Sequence, residues 1–362
     1  MMEFCYKEKS FVFNGSNGSD EAILLINLGS PLSYCKKDVK KYLTEFLMDE
    51  NVINIPYPLR YLLVKGIIAP FRTGYSSLKY KDIWDEKYNT FPLIKSSIDV
   101  ARSLSTISGK VVSVAMRYSE PSIYDSLTAL KKLNRIKKLY VFPLYPHYTY
   151  STFKTACDKV KDEMKRIGWQ DLELYFSKPF YDNAEYRNIL SDSIAPYLEK
   201  PFDKLVVSYH GIPLSHLSDS CRFNNGNILY DDSYHNTECH DGELCYRFNV
   251  EQSFRFLIKD LGIDKNKIEL VYQSRLGKNK WMKPYIWERV RAWSREGAEN
   301  ILVVCPSFVS DCLETLNEIN VYYRDIFLSE GGKSFTYIPC VSIDKRFVNM
   351  IDNYEEYEKH ES

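Results

Sequence analysis

Ile23-Leu24-Leu25-Ile26-Asn27-Leu28-Gly29-Ser30-Pro31 is a run of four consecutive aliphatic residues closed by Asn27 and a Gly-Ser-Pro turn. An apolar run without alternation suits a strand of a parallel sheet covered by helices on both faces. The pattern recurs along the chain. β-Branched and aromatic runs at 22–28, 111–118, 139–145 and 172–176, and again at 205–209, 268–273, 301–304 and 335–338, end in Gly, Pro or Ser and precede segments of helical period. One such segment, 36–48, carries Val39, Leu43, Phe46 and Leu47 as an apolar stripe. The fold class is therefore α/β, with one layout of four parallel strands and flanking helices used twice. The expected organisation is a flexible tail over 1–20, a first half over 21–200, a second half over 201–344, and a last helix, about 345–357 within a segment 345–362, packing back on the first half. Pro201 marks the boundary near 199–203.

Composition excludes several functions. Hydrophobic residues make up 44% and charged residues 27% of the 362, which supports two buried cores. Lys+Arg 48 balance Asp+Glu 48, and no basic cluster is interleaved with aromatics, so nucleic acid is not an expected partner. Nine cysteines, an odd number widely spaced, fit reduced thiols in a cytoplasm better than a disulfide scaffold. The first twenty residues lack the apolar block of a signal peptide, and the apolar stretch 61–71 is interrupted by Lys65 and Gly66 and is too short to span a bilayer. The expected location is cytoplasmic.

Sheets of this kind bind ligands beyond the carboxyl ends of their strands. Those ends hold Asn27 to Pro31, Arg117-Tyr118, Pro146-His147-Tyr148, His210-Gly211, Gln273-Ser274-Arg275 and Ser307-Phe308. His210 follows an apolar strand directly, where an imidazole can act as base or metal ligand near neutral pH, and His147 is its closest rival. Asp311, Glu314 and Glu318 are spaced three and four apart and would line one face of an α-helix. Stacked carboxylates raise one another's proton affinity, which prepares them to accept protons. From that segment alone, helix capping by Asp311 and a solvated acidic face is the favoured reading. Arg117 offers a carboxylate-binding guanidinium and Tyr118 a phenol, and the aromatics of 145–150 suit ordinary packing.

Taken in order, Asn27-Leu-Gly-Ser-Pro31, Phe142-Pro-Leu-Tyr-Pro146, Ser208-Tyr-His-Gly-Ile-Pro213, Gln273-Ser-Arg-Leu-Gly277 with Trp281, and Asp311-Cys-Leu-Glu-Thr-Leu316 resemble the ferrochelatases, bacterial type, over about residues 22–341. The resemblance implies the chelatase fold, two similar Rossmann-like halves, and an enzyme that inserts ferrous iron into protoporphyrin IX to give protoheme, releasing two protons in the last step of heme biosynthesis. It implies His210 and Glu314 as the catalytic, metal-contacting pair, Asp311 and Glu318 as a proton relay, and Arg117, Tyr118, Leu28, Trp281 and Phe308 as porphyrin-binding residues. Ferrous iron and protoporphyrin IX are then substrates. The stretch 55–71 resembles the apolar lip through which members meet a membrane surface, a peripheral contact at its inner face; a plain buried helix is the competing reading.

Departures from the family pattern are local. A long insert, 214–247, contains Cys221, His235, Cys239, His240 and Cys245. Three cysteines are one short of the set that holds a [2Fe-2S] cluster, so a cluster is not favoured; its fourth ligand would be Cys157, Cys305, Cys312 or Cys340. Position 312 is Cys where relatives carry His, which puts an extra proton acceptor there in doubt. The competing functions are a noncatalytic tetrapyrrole-binding protein and a related cobaltochelatase. A dinucleotide dehydrogenase is excluded, because Gly29-Ser-Pro-Leu-Ser-Tyr34 lacks the glycine spacing of that turn.

Overall fold

The computed structural model describes residues 9–16, 18–217, 244–275 and 280–360. Among them run strands β1 (Phe11–Phe13), β2 (Glu21–Asn27), β3 (Val111–Met116), β4 (Lys138–Pro143), β5 (Glu173–Ser177), β6 (Lys204–His210), β7 (Ile268–Gln273), β8 (Asn300–Val304), β9 (Ser334–Tyr337) and β10 (Tyr357–Lys359). They belong to two compact units, one built from the described parts of 1–144, 150–178 and 342–362, the other from those of 145–149 and 179–341.

The first unit carries a six-stranded sheet in the order β1-β3-β2-β4-β5-β10. Its four inner strands are parallel, and the continuous apolar run in β2 is buried from Ala22 to Asn27, as a strand covered on both faces requires. The edges differ from expectation. Part of the supposed tail forms β1, antiparallel to β3, with Ser113 Oγ donating to the Phe11 carbonyl at 2.9 Å. The final helix stops at Asp352, and the next residues form β10, antiparallel to β5. Tyr354, between the two, is buried and donates its hydroxyl to the Lys178 carbonyl at 3.1 Å. Helix Lys345–Asp352 turns Phe347, Val348, Met350 and Ile351 inward and packs on helix Pro92–Ser108.

The second unit carries a four-stranded, fully parallel sheet in the order β7-β6-β8-β9. This repeats the order β3-β2-β4-β5, so both sheets are wound in opposite directions from one central pair, β2/β4 and β6/β8. Val206, Val271, Ile286, Val290, Trp293, Ile301 and Val303 form the core on one face. The division between units falls at 178/179 and not near Pro201. Helix Ala184–Leu198 packs on helix Tyr246–Leu261 of the second unit, where Arg187 grips Asp260 with two hydrogen bonds of 2.9 and 2.7 Å.

The stretch 55–71 is not a buried helix. Helix Tyr57–Tyr61 runs into a π-helix, Leu62–Ile68, and on into helix Ala69–Asp82, leaving Leu62 at 65% and Phe71 at 81% exposure. No described helix is long and apolar enough to cross a membrane.

Candidate active site

His210 ends β6 beside the place where the second sheet reverses winding, between β6 and β8, which is where sheets of this class bind ligands. Its position is fixed through the backbone. The ladder between β6 and β7 carries His210 opposite Gln273, and Gly211 donates its N–H to the Gln273 carbonyl at 2.7 Å. A Cβ at Gly211 would sit 3.0 Å from that carbonyl oxygen, so the close turn suits glycine. Phe308 meets the His210 ring edge to face at 6.1 Å, and Trp281 packs beside Gly211, bridging to Pro213.

Glu314 arrives from a different element. The expected α-helical ladder is replaced by a π-helix, Glu314–Tyr323, and Asp311 stands ahead of that helix instead of on its face. Helices with this wider hydrogen-bonding pattern are concentrated at functional sites. The three residues consequently have three separate anchorages. Asp311 accepts from the Tyr337 hydroxyl at 2.5 Å and from Thr315 Oγ1 at 3.2 Å. Glu318 is held by Ser274, through its N–H at 3.1 Å and its Oγ at 2.8 Å, and Ser274 adopts a left-handed backbone with φ of 63°. The main chain of Glu314 is tied to Gln273, whose Nε2 donates to its carbonyl at 3.4 Å.

Gln273 is fully buried and joins the elements of the site. Its Oε1 accepts from Ser208 Oγ at 2.8 Å and from the Cys305 thiol at 3.4 Å, while its backbone pairs with β6. Gln273 therefore links the strand that ends in His210 to the helix that begins at Glu314.

The two side chains are near enough to act on each other's charge. Burial pushes the His210 imidazole below its ordinary value, and the nearby Glu314 carboxylate acts in the opposite sense without reversing the shift. Burial thus favours the uncharged ring, which has a lone pair to donate. Cys312 is no proton acceptor. Burial, reinforced by the charge of Glu314, drives its thiol well above the ordinary range, and the neutral S–H is hydrogen-bonded to Glu314. His147, the rival candidate, lies in the core with Tyr181 stacked on it at 5.6 Å and Tyr209 against its edge at 5.5 Å. Burial lowers its pKa to about 3, and neither ring nitrogen has a hydrogen-bonding partner.

In the first unit, Leu28 is half-buried at the end of β2, and its carbonyl accepts the Tyr118 N–H at 3.0 Å. The side chains of Arg117 and Tyr118 converge on Asp49. Arg117 is ion-paired with Asp49 and donates Nε to Thr155 Oγ1 at 2.9 Å. Tyr118 has no exposed surface and donates its hydroxyl to Asp49 at 2.9 Å. Burial alone would raise the Asp49 carboxyl; hydrogen bonds from Thr155 and Tyr118 with the charge of Arg117 outweigh it and hold the group below its usual range. Neither Asp49 nor Thr155 stands out in the sequence, since each gains its meaning only from partners far along the chain.

Among the described residues no group of three or more His, Cys, Asp or Glu side chains is arranged to hold a metal ion. Cys221, His235, Cys239 and His240 lie outside the described residues, and Cys157, Cys245, Cys305, Cys312 and Cys340 are buried and in no disulfide.

The family model for ferrochelatase matches residues 20–357. The chain is 40% identical to the ferrochelatase of Porphyromonas gingivalis over 338 residues, covering 93% of this chain and 96% of that protein. It is 37% identical to the ferrochelatase of Pseudomonas syringae pathovar tomato, covering 92% and 97% of the two chains, and 38% identical to that of Opitutus terrae, covering 92% and 96%. A match of this length and identity, joined to the repeated α/β layout, establishes that the chain belongs to the ferrochelatase family.

Proposed function

We propose that this chain inserts ferrous iron into protoporphyrin IX, with His210 and Glu314 receiving the metal and the two pyrrole protons. The observation that carries the reading is the convergence, at the switch point of one sheet, of His210 at the end of β6 and Glu314 at the head of its helix, tied to each other through Gln273. Iron enters and leaves as Fe2+, and the porphyrin loses two N–H protons, so the residues must supply ligands and bases but no electrons. A neutral imidazole can release iron to the ring nitrogens and take up a proton once its lone pair is free, and Glu314 can accept the other. Glu318 and Asp311 continue the path, each already held by hydroxyl donors.

Leu28, Trp281 and Phe308 are assigned to the macrocycle, for which apolar and aromatic faces are suitable walls. Arg117 and Tyr118, both bonded to Asp49, are assigned to porphyrin binding as well. The stretch 55–71, which exposes Tyr57, Leu59, Leu62, Ile67 and Phe71, is assigned to a peripheral membrane contact, consistent with an insoluble substrate.

Purified protein mixed anaerobically with ferrous iron and protoporphyrin IX is expected to quench porphyrin fluorescence catalytically. A rate no faster than that of the same mixture without protein rejects the enzymatic reading and leaves a tetrapyrrole-binding protein.

A further inference from the structure

A side chain at a strand end is only as well placed as its backbone, and on one side the backbone of His210 has lost its strand partner. The register between β6 and β8 ends at Val207 opposite Val304. Beyond it β8 turns away at Cys305, whereas β6 continues to His210. Backbone groups left in a buried site must find other partners. The His210 N–H donates to Ser307 Oγ at 3.0 Å, and the His210 carbonyl accepts the Tyr246 hydroxyl at 2.7 Å. The two hydroxyls lie 3.2 Å apart and close the ring.

These partners come from different elements. Ser307 lies just past β8, across the switch point, and Tyr246 is the first residue of helix Tyr246–Leu261. Tyr246 is buried, with His147 against its ring at 6.1 Å.

We infer that Tyr246 and Ser307 are positioning residues that extend the β-ladder with side-chain hydroxyls and so aim the His210 imidazole at the metal. The inference rests on the reading of His210 as the group that meets iron. A ligand misplaced by a fraction of an ångström weakens both metal capture and transfer, while the apolar walls for the porphyrin are untouched.

The test compares Tyr246→Phe, Ser307→Ala and His210→Ala in the full chain, alone and combined. Each is measured for kcat and KM of ferrous iron and of protoporphyrin, for thermal melting, and for Co2+ binding without porphyrin as a probe independent of turnover. Loss of one hydroxyl is expected to lower kcat/KM for iron about tenfold, with a matching fall in Co2+ affinity and an unchanged KM for porphyrin. Added to His210→Ala, either substitution is expected to cost nothing more. Equal losses with and without His210, or both single variants within about twofold of wild type while His210→Ala is inactive, overturn the positioning role and leave the His210 reading standing. A fully active His210→Ala overturns that reading and this inference with it. Should Tyr246→Phe melt far below wild type, Ser307→Ala decides the matter, with Ser307→Thr expected to restore iron affinity and its failure to do so counting against the clamp.

Discussion

His210 and His147 show how one residue type takes opposite parts within one unit. Both are depressed by burial, but His210 has a carboxylate partner and His147 has only aromatic rings. For His147 the consequence is in stability. Its folded pKa of about 3 lies below the ordinary 6.5, so above pH 6.5 folded and unfolded chains are both neutral there. Between 6.5 and 3 the unfolded chain takes up a proton that the folded chain refuses, and stability falls by about 1.4 kcal/mol per pH unit. Urea midpoints measured from pH 7 to pH 4 are expected to drop steeply in the wild type and less in His147→Phe. Parallel curves would remove His147 from the account.

At the scale of elements, the turn after β2 is the tightest fit. Gly29 has φ of 101°, and a Cβ there would lie 2.0 Å from the Tyr118 carbonyl oxygen. Gly29→Ala is predicted to destabilise the first unit by about 3 kcal/mol or more, by strain and overpacking together. A variant melting within a degree of wild type contradicts this. The eight parallel strands could be read from the sequence because their β-branched and aromatic runs recur, each closed by turn residues and followed by a segment of helical period. β1 and β10 could not, since three residues at a sheet edge carry no period and are held mainly by pairing. The spacing of Asp311, Glu314 and Glu318 predicts a helix, and Glu314 and Glu318 lie in one. Its geometry was misjudged because a π-helix and an α-helix share the same composition, and the difference lies in which carbonyl each N–H selects. Tyr246 and Asp49 were illegible for another reason, and Ser307 was legible only as a strand end: their hydrogen bonds join residues that only the folded chain brings together.

For the molecule as a whole, formal charge is balanced, so attraction to other components depends on local surfaces. The apolar strip of 57–78 exposes Tyr57, Leu59, Leu62, Ile67, Phe71, Tyr75 and Leu78. If that strip meets membranes, the protein co-sediments with zwitterionic vesicles, and 1 M salt does not release it, because burial of apolar surface is not screened. Leu62→Glu with Phe71→Glu is expected to weaken this binding at least about tenfold. Binding that requires anionic lipid and vanishes in salt points instead to the lysines of the same region.

The central claim joins two residues from separate elements in one reaction, and steady-state iron insertion by His210→Ala and Glu314→Gln, measured beside porphyrin affinity, tests it most directly. Each substitution is predicted to lower kcat by about 10²- to 10⁴-fold while porphyrin binding stays within about threefold of wild type. Turnover within about threefold of wild type in either variant, with the porphyrin still bound, contradicts the account.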